Sequence, residues 1–287
     1  MSPKNPRDLS GPKIRLLVTD FDGTIKPTVG PVAPEERSAL KAMGKAGLIR
    51  VVATGRSLVS FLKDWDPDME LDYLIYSSGL ALCRWTPEGP GEHIFLSAFS
   101  PFERDLALEI AAALNQGFVA FWAPPESHGF YYLDPPNGLR SPGFAARLAT
   151  YSQVAIPWAA YDGHRPLSQV LVMALASDFP AIKEKVAPYA NRLSITQSTS
   201  PYGDNRLWLE IFPFGITKSS AAQRLVELIG LTASQAAAVG NDFNDENLLA
   251  WAGRGFAVPG SPAELLAQFE NLKGPGGVLE RVFRAIS

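Results

Sequence analysis

The sequence predicts an α/β fold: an open, mostly parallel sheet interrupted by a second, α+β unit. Three observations carry this. In the first third, short buried runs rich in β-branched residues alternate with amphipathic helical stretches, the pattern of a parallel sheet with crossover helices. The same alternation resumes at Arg206 and continues to the C-terminus. Between about Arg84 and Asp204 the texture changes to Pro and Gly clusters (Pro87 to Gly91, Pro124-Pro125, Pro135 to Gly138), with three of the six tryptophans and most of the tyrosines. The expected organisation is a flexible arm over 1–12, a core from 13–83 and 205–287, and an inserted unit over 84–204.

The elements follow in order. Ile14 to Val18 is a short buried strand, and Pro34-Glu35-Glu36 opens a helix, with proline at a first helical position and carboxylates at the positive end of the dipole. Gly47 ends it. Leu48 to Ala53 is the next strand, a helix covers Leu58 to Asp64, and Tyr73 to Tyr76 is a third strand. In the insert the spacing predicts helices over Phe102 to Gln116 and Phe179 to Ala190. Its strands are expected at Phe118 to Trp122, Gly129 to Leu133, Gln169 to Ala174 and Leu193 to Gln197. Strand Leu207 to Phe212 returns the chain to the core. Helix Lys218 to Ile229, strand Ala236 to Val239, helix Glu246 to Trp251, strand Gly255 to Val258 and further helices complete it.

Composition narrows the function. A chain of 287 residues with 46% hydrophobic and 19% charged residues has enough apolar material for a sizeable core. The formal net charge of −3 offers no general attraction for nucleic acid. The single cysteine, Cys83, forms no intramolecular disulfide and no cysteine-based zinc site, which fits a reducing compartment. Met1 to Pro12 is polar and proline-bearing, unlike a signal peptide, and no apolar run approaches a membrane span. The expectation is a soluble, cytoplasmic monomer or homodimer.

The candidate chemistry lies at strand ends. Asp20-Phe21-Asp22-Gly23-Thr24 follows the first strand and puts two carboxylates at the carboxyl edge of the sheet, where open α/β folds place their sites. One carboxylate suits a covalent nucleophile toward phosphorus, the other a general acid and base. The bland alternative is a strand-terminal turn with solvated aspartates. Thr54-Gly55-Arg56-Ser57 brings a hydroxyl and exposed amides to the same edge, suited to an oxyanion, although Thr-Gly is also a common helix cap. Lys218 stands at the positive end of a long helix, a misplacement that asks for a nearby anion. Asn241, Asp242, Asn244 and Asp245 crowd oxygen ligands into five positions, a set suited to Mg2+, or else a capping turn for the next helix.

Together these segments resemble the haloacid dehalogenase superfamily of phosphohydrolases. The resemblance covers about the first 80 residues and the last 85 through D-x-D-G-T, T-G-R-S, G-x-x-K-S and G-x-x-x-N-D. The size of the insert and Leu209-Glu210-Ile211 leading to Gly215 and Lys218 resemble the Cof-type, sucrose-phosphatase-like branch. It implies a Rossmann-like parallel-sheet core, an α+β cap and Mg2+-dependent phosphomonoester hydrolysis through an aspartyl-phosphate on a sugar phosphate or similar small phosphorylated metabolite. Phosphosugar mutase activity, or a catalytically weak binding protein, is the alternative. By resemblance, Asp20 is the nucleophile, Asp22 the acid and base, and Thr54, Gly55, Lys218 and Asn244 hold phosphate. Asp20, Asp22, Asn241, Asp242 and Asp245 form the metal end, while Arg56, Ser78 and Gly79 are substrate contacts. Two positions depart from the pattern: Asn241 replaces the aspartate of G-D-x-x-N-D, and Ser78-Gly79-Leu80 replaces Asn-Gly-Ala. Trp122, His128, Tyr131, Tyr132, Arg140 and His164 are weaker candidates for a polar, aromatic pocket, since strand aromatics are more often core.

Overall fold

The computed structural model describes residues 13–200 and 204–287. The expected N-terminal arm, 1–12, lies outside the described residues. The chain runs β1 (Leu16–Thr19), α1 (Pro34–Lys45), β2 (Ile49–Ala53), α2 (Leu58–Leu62), β3 (Tyr73–Tyr76), β4 (Ala81–Thr86) and β5 (Gly89–Leu96). It continues through α3 (Pro101–Ala113), β6 (Phe118–Trp122), β7 (Phe130–Leu133), α4 (Pro142–Thr150), β8 (Ala155–Pro157), β9 (Leu167–Leu175), α5 (Phe179–Val186), β10 (Leu193–Thr199) and β11 (Arg206–Pro213). The remainder is α6 (Lys218–Leu228), β12 (Ala236–Gly240), α7 (Glu246–Trp251), β13 (Arg254–Ala257), α8 (Ala263–Gln268), β14 (Glu270–Asn271) and α9 (Val278–Ile286). Among the described residues no helix is long and apolar enough to cross a membrane.

The strands form two sheets. The larger has the order β14-β13-β12-β1-β2-β3-β4-β5, parallel from β14 to β3 and antiparallel over the last two strands. The smaller has the order β10-β11-β9-β6-β7-β8 and is antiparallel except where β7 meets β8. Sheet membership differs from the sequence boundaries at both ends of the insert. The β4–β5 hairpin belongs to the large sheet although Pro87 to Gly91 reads as a loop; Pro90 is tolerated because β5 is an edge strand. β11 belongs to the small sheet, paired with β9 and β10, and not to the core it precedes.

Burial follows the pleat and the helical stripe. On one face of the large sheet Leu17, Val52 and Leu74 meet Leu40 and Met43 of α1 and Leu279 and Val282 of α9. On the other, Leu16, Val18 and Val51 meet Ala222, Leu225 and Val226 of α6 and Leu248 and Leu249 of α7. Glu36 ties the two helices of the first face together. It accepts from the Val278 and Leu279 amides at 2.6 and 2.8 Å, satisfying donors that the start of α9 leaves open.

In the small sheet, alternation sorts residues the same way. Phe118, Ala120, Val170, Val172 and Leu209 pack under α3 and α5. Val119, Phe121, Leu171, Met173 and Trp208 lie on the opposite face. That second face looks onto the carboxyl edge of the large sheet across a cleft of about 1000 Å³. Cross-links close it: Asp242 accepts from the Thr199 amide and hydroxyl at 2.8 and 3.0 Å, and the Ser77 and Ser127 hydroxyls meet at 2.7 Å.

Candidate active site

Four adjacent strands, β12, β1, β2 and β3, deliver their carboxyl ends to one side of the cleft. The strand order reverses about β1, so its end opens into a crevice flanked by loops on both sides. Asp20 emerges there. Its Oδ1 accepts from Lys218 Nζ at 2.6 Å, and the same ammonium donates to Asp245 Oδ1 at 2.6 Å. All three groups are buried, with relative exposures of 5% for Asp20, 2% for Lys218 and 0% for Asp245. The anion that the misplaced lysine asked for is therefore a pair of carboxylates.

The electrostatics follow from that geometry. Burial pushes the Asp20 carboxyl up to about 7, with Asp245 adding to the effect and Lys218 opposing it. Burial alone would lower the Lys218 ammonium, but Asp20 and Asp245 outweigh it and push the group up, so the lysine keeps its proton. The site holds one buried cation between two buried carboxylates.

Asp20 Oδ2 faces the other way. It accepts from Thr24 Oγ1 at 2.9 Å and meets the side-chain amide of Asn241. In the orientation its surroundings favour, Asn241 Nδ2 lies 3.1 Å from Asp20 Oδ2, 3.0 Å from the Asp22 carbonyl and 3.2 Å from Thr24 Oγ1, and its two hydrogens are shared among these acceptors. Gly23 has φ +78°, and a Cβ there would collide with this amide, so glycine is what lets the two loops meet. Among the described residues no cluster of three or more His, Cys, Asp or Glu is placed to hold a metal. The group at this edge is instead one carboxylate oxygen, one main-chain carbonyl and one side-chain amide that turns its oxygen inward by a half rotation. Such hard neutral and anionic oxygens fit Mg2+, which takes few protein ligands and keeps water or phosphate for the rest.

Asp242 and Asp245 do not join that group. Asp245 Oδ1 is on Lys218, and its Oδ2 accepts from the Asn241 and Asp242 amides at 2.9 and 3.3 Å. Asp242 points across the cleft to Thr199. The crowding of oxygens reads as one ligand set, but the turn sends each side chain in a different direction.

Asp22 and Arg56 form a bidentate pair, with Arg56 Nε and Nη2 at 2.7 and 2.6 Å from the two carboxylate oxygens. Arg56 also holds Asp64 at 2.5 Å. It lines the cleft, but its guanidinium is on these carboxylates. Thr54 is fully buried, and its hydroxyl accepts from the Arg56 amide at 3.1 Å; Gly55 and Asn244 line the cleft. Ser78 and Gly79 stand behind the cleft, whose wall at this point is Ser77. Gly79 has φ +104°, and a Cβ there would strike the Thr217 carbonyl, so its part is to let α6 approach and seat Lys218.

The opposite wall holds residues the sequence reading did not single out as site residues. Glu210 is buried and accepts from Gln169 Nε2 at 2.7 Å and from the Ser198 hydroxyl. Burial pushes its carboxyl up against the pull of Ser198, Lys218 and Arg147. Arg147, from α4, stacks against Phe121, Tyr151 and Trp208 at 5.0 to 5.9 Å from the ring centroids. Ser141-Pro142, an N-cap followed by proline at N1, was the local signal for α4. Of the six weaker candidates only His128 lines the cleft; Trp122 and Tyr131 belong to the core under α3.

Comparison with known proteins places the chain in a family. The chain is 24% identical over 259 residues to the HMP-PP phosphatase of Cronobacter sakazakii, covering 90% of this chain and 89% of that protein. It is 22% identical over 272 residues to Phosphatase YwpJ of Bacillus subtilis, covering 85% and 89%. Its fold matches the phosphatase BT1666 of Bacteroides thetaiotaomicron with a TM-score of 0.74 at 18% identity over the whole of both chains. The model of the haloacid dehalogenase-like hydrolases matches residues 17–272, and the chain belongs to that family.

Proposed function

We propose that this hydrolase cleaves phosphomonoesters of small phosphorylated metabolites, sugar phosphates among them, through an aspartyl-phosphate on Asp20, with the inserted unit acting as a cap. The observation that carries the reading is the buried Lys218 ammonium shared by Asp20 and Asp245. Its charge favours the anionic form of Asp20, which a nucleophile toward phosphorus requires, against the burial that favours the neutral one. Both curated relatives are phosphatases, in keeping with this chemistry.

An Asp20 carboxylate oxygen attacks phosphorus, the ester P–O bond breaks, and the leaving oxygen takes a proton from Asp22. Asp22 then accepts a proton from water, whose oxygen attacks phosphorus and breaks the bond to Asp20, releasing phosphate. Arg56 positions Asp22 between these steps and must give up part of its bidentate grip for the carboxyl to reach the leaving group. Lys218 offsets the charge that builds on Asp20 and the phosphoryl oxygens. Mg2+, when held by Asp20 Oδ2, the Asp22 carbonyl and the Asn241 side-chain oxygen, supplies further neutralisation between carboxylate and phosphoryl. The small sheet excludes water and contacts the leaving group with Glu210, Gln169, Ser198 and Arg147.

The test is phosphate release by Asp20→Asn from an aryl phosphate and a panel of sugar phosphates. The amide is nearly isosteric but no nucleophile, so turnover is expected to fall at least about a hundredfold with the melting temperature little changed. Residual activity above that level would overturn the covalent route.

A further inference from the structure

Lys26 is a buried cation of the cleft wall that the chemistry above does not use. Its main chain is strapped to the catalytic loop, its amide donating to Phe21 O at 2.9 Å and its carbonyl accepting from the Gly23 amide at 2.8 Å. The residue is 8% exposed, and its ammonium donates to one acceptor, the Pro27 carbonyl, at 3.1 Å. An ammonium carries three donors, and burying one with a single neutral acceptor is costly unless something anionic completes it. Among the described residues no carboxylate lies within ion-pair distance of Lys26. The two acidic side chains beside it in the cleft wall, Asp22 and Asp64, are both engaged by Arg56.

The place of this lysine says what the missing anion is part of. Lys26 stands where the main cleft opens into a smaller one lined by Gly30, Pro31, Trp65 and Pro67. Lys63 lines both clefts as well, its ammonium 5.3 Å over the Tyr151 ring, while Asp66 in the smaller cleft is paired with Arg37. None of Asp20, Gly55 or Asn241 reaches the smaller cleft. A group held there lies away from Asp20, at the part of the cleft wall formed by Lys26, Lys63 and Asp64.

We propose that Lys26, seconded by Lys63, is a subsite for a second anionic group on the substrate. The leaving group itself then bears a carboxylate or a phosphate close to the bond that is cleaved. This rests on the phosphatase reading above and narrows it, because a neutral polyol leaves a buried cation unmatched.

Paired substrates test it: glycerol 2-phosphate against 2-phosphoglycerate for the carboxylate, and AMP against ADP for the phosphate. The wild-type protein is expected to favour the anionic member of one pair in kcat/KM, and the pair that responds assigns the group. Lys26→Met keeps the buried stem and removes the charge, so that preference is expected to fall about ten- to a hundredfold, the range of one charge-assisted hydrogen bond. Lys26→Arg is expected to keep most of it. Lys63→Met, at an exposed position, moves the preference in the same direction by a smaller factor and stands in if Lys26→Met does not fold. No preference in either pair, or equal losses on both members in Lys26→Met, would overturn the subsite. Loss of turnover in Asp20→Asn beside an unmoved preference in Lys26→Met would overturn the subsite alone, whereas persistent turnover in Asp20→Asn would overturn the phosphoryl chemistry beneath it.

Discussion

Replacing Lys218 by methionine isolates the charge arrangement at the heart of the site. The lysine makes two ion pairs of 2.6 Å with side chains that are 7% and 0% exposed. At an effective dielectric of about 20, each pair is a Coulomb attraction of roughly 6 kcal/mol, largely offset by desolvation of the charges. Removing the cation leaves two buried carboxylates with no counter-charge, and the expected cost is about 3–5 kcal/mol, or roughly a 10 °C fall in melting temperature. Replacing Asp245 by asparagine in the same protein removes the surplus negative charge, so the double variant is expected to regain at least about 1 kcal/mol over Lys218→Met while staying inactive. The sign of the pH dependence is fixed as well. Asp20 is raised in the folded protein, and losing Lys218 removes what opposes that shift. A raised folded pKa adds stability below the unfolded value and loses it as pH rises through the folded one, so the deficit of Lys218→Met is expected to widen toward alkaline pH. Urea unfolding of the four proteins of the cycle in EDTA, at acid and neutral pH, reads all of this. A cost below about 1 kcal/mol, or strict additivity with Asp245→Asn, would refute a shared buried cation.

Two further outcomes are expected. Asn241→Asp replaces the amide donor by a second carboxylate beside Asp20 Oδ2, so the variant should be less stable in EDTA and reach half-maximal activity at about tenfold lower Mg2+; an unchanged Mg2+ requirement would remove residue 241 from the metal end. Glu210→Gln removes a carboxyl that burial raises in the fold, so wild type should lose stability relative to the variant as pH rises above the ordinary glutamate range, and a difference independent of pH would contradict that burial.

The reach of the sequence depended on whether a signal was local. Asp20, Thr54 and Asn241 stand at strand ends that composition and periodicity already marked, and the run Asp242 to Asp245 was visible as a turn. What the turn does with each oxygen was not: Asp245 goes under Lys218 and Asp242 goes across to Thr199, partners that stand 27 and 43 residues earlier in the chain. Arg206–Pro213 carries the same alternation in either sheet, and only its registers with β9 and β10 place it in the small one. Gln169, Ser198 and Glu210 occupy alternate strand positions whose face becomes a cleft wall only once the two sheets meet. Gly79 resembles a substrate contact by position, yet it is small because the Thr217 carbonyl passes against it.

The strand order has a consequence for synthesis. β1, which carries Asp20, pairs on one side with β2, begun at Ile49, and on the other with β12, begun at Ala236. A ribosome therefore exposes the nucleophile's strand with one open edge until nearly the whole chain has emerged, and open edges are where chains pair wrongly. The small sheet, by contrast, draws on one contiguous stretch and lacks no partner from the flanking halves. Nascent chains stalled before β12 thus present a finished insert on an unfinished core, with Asp20 at hand and neither Lys218's second carboxylate nor Asn241 yet made.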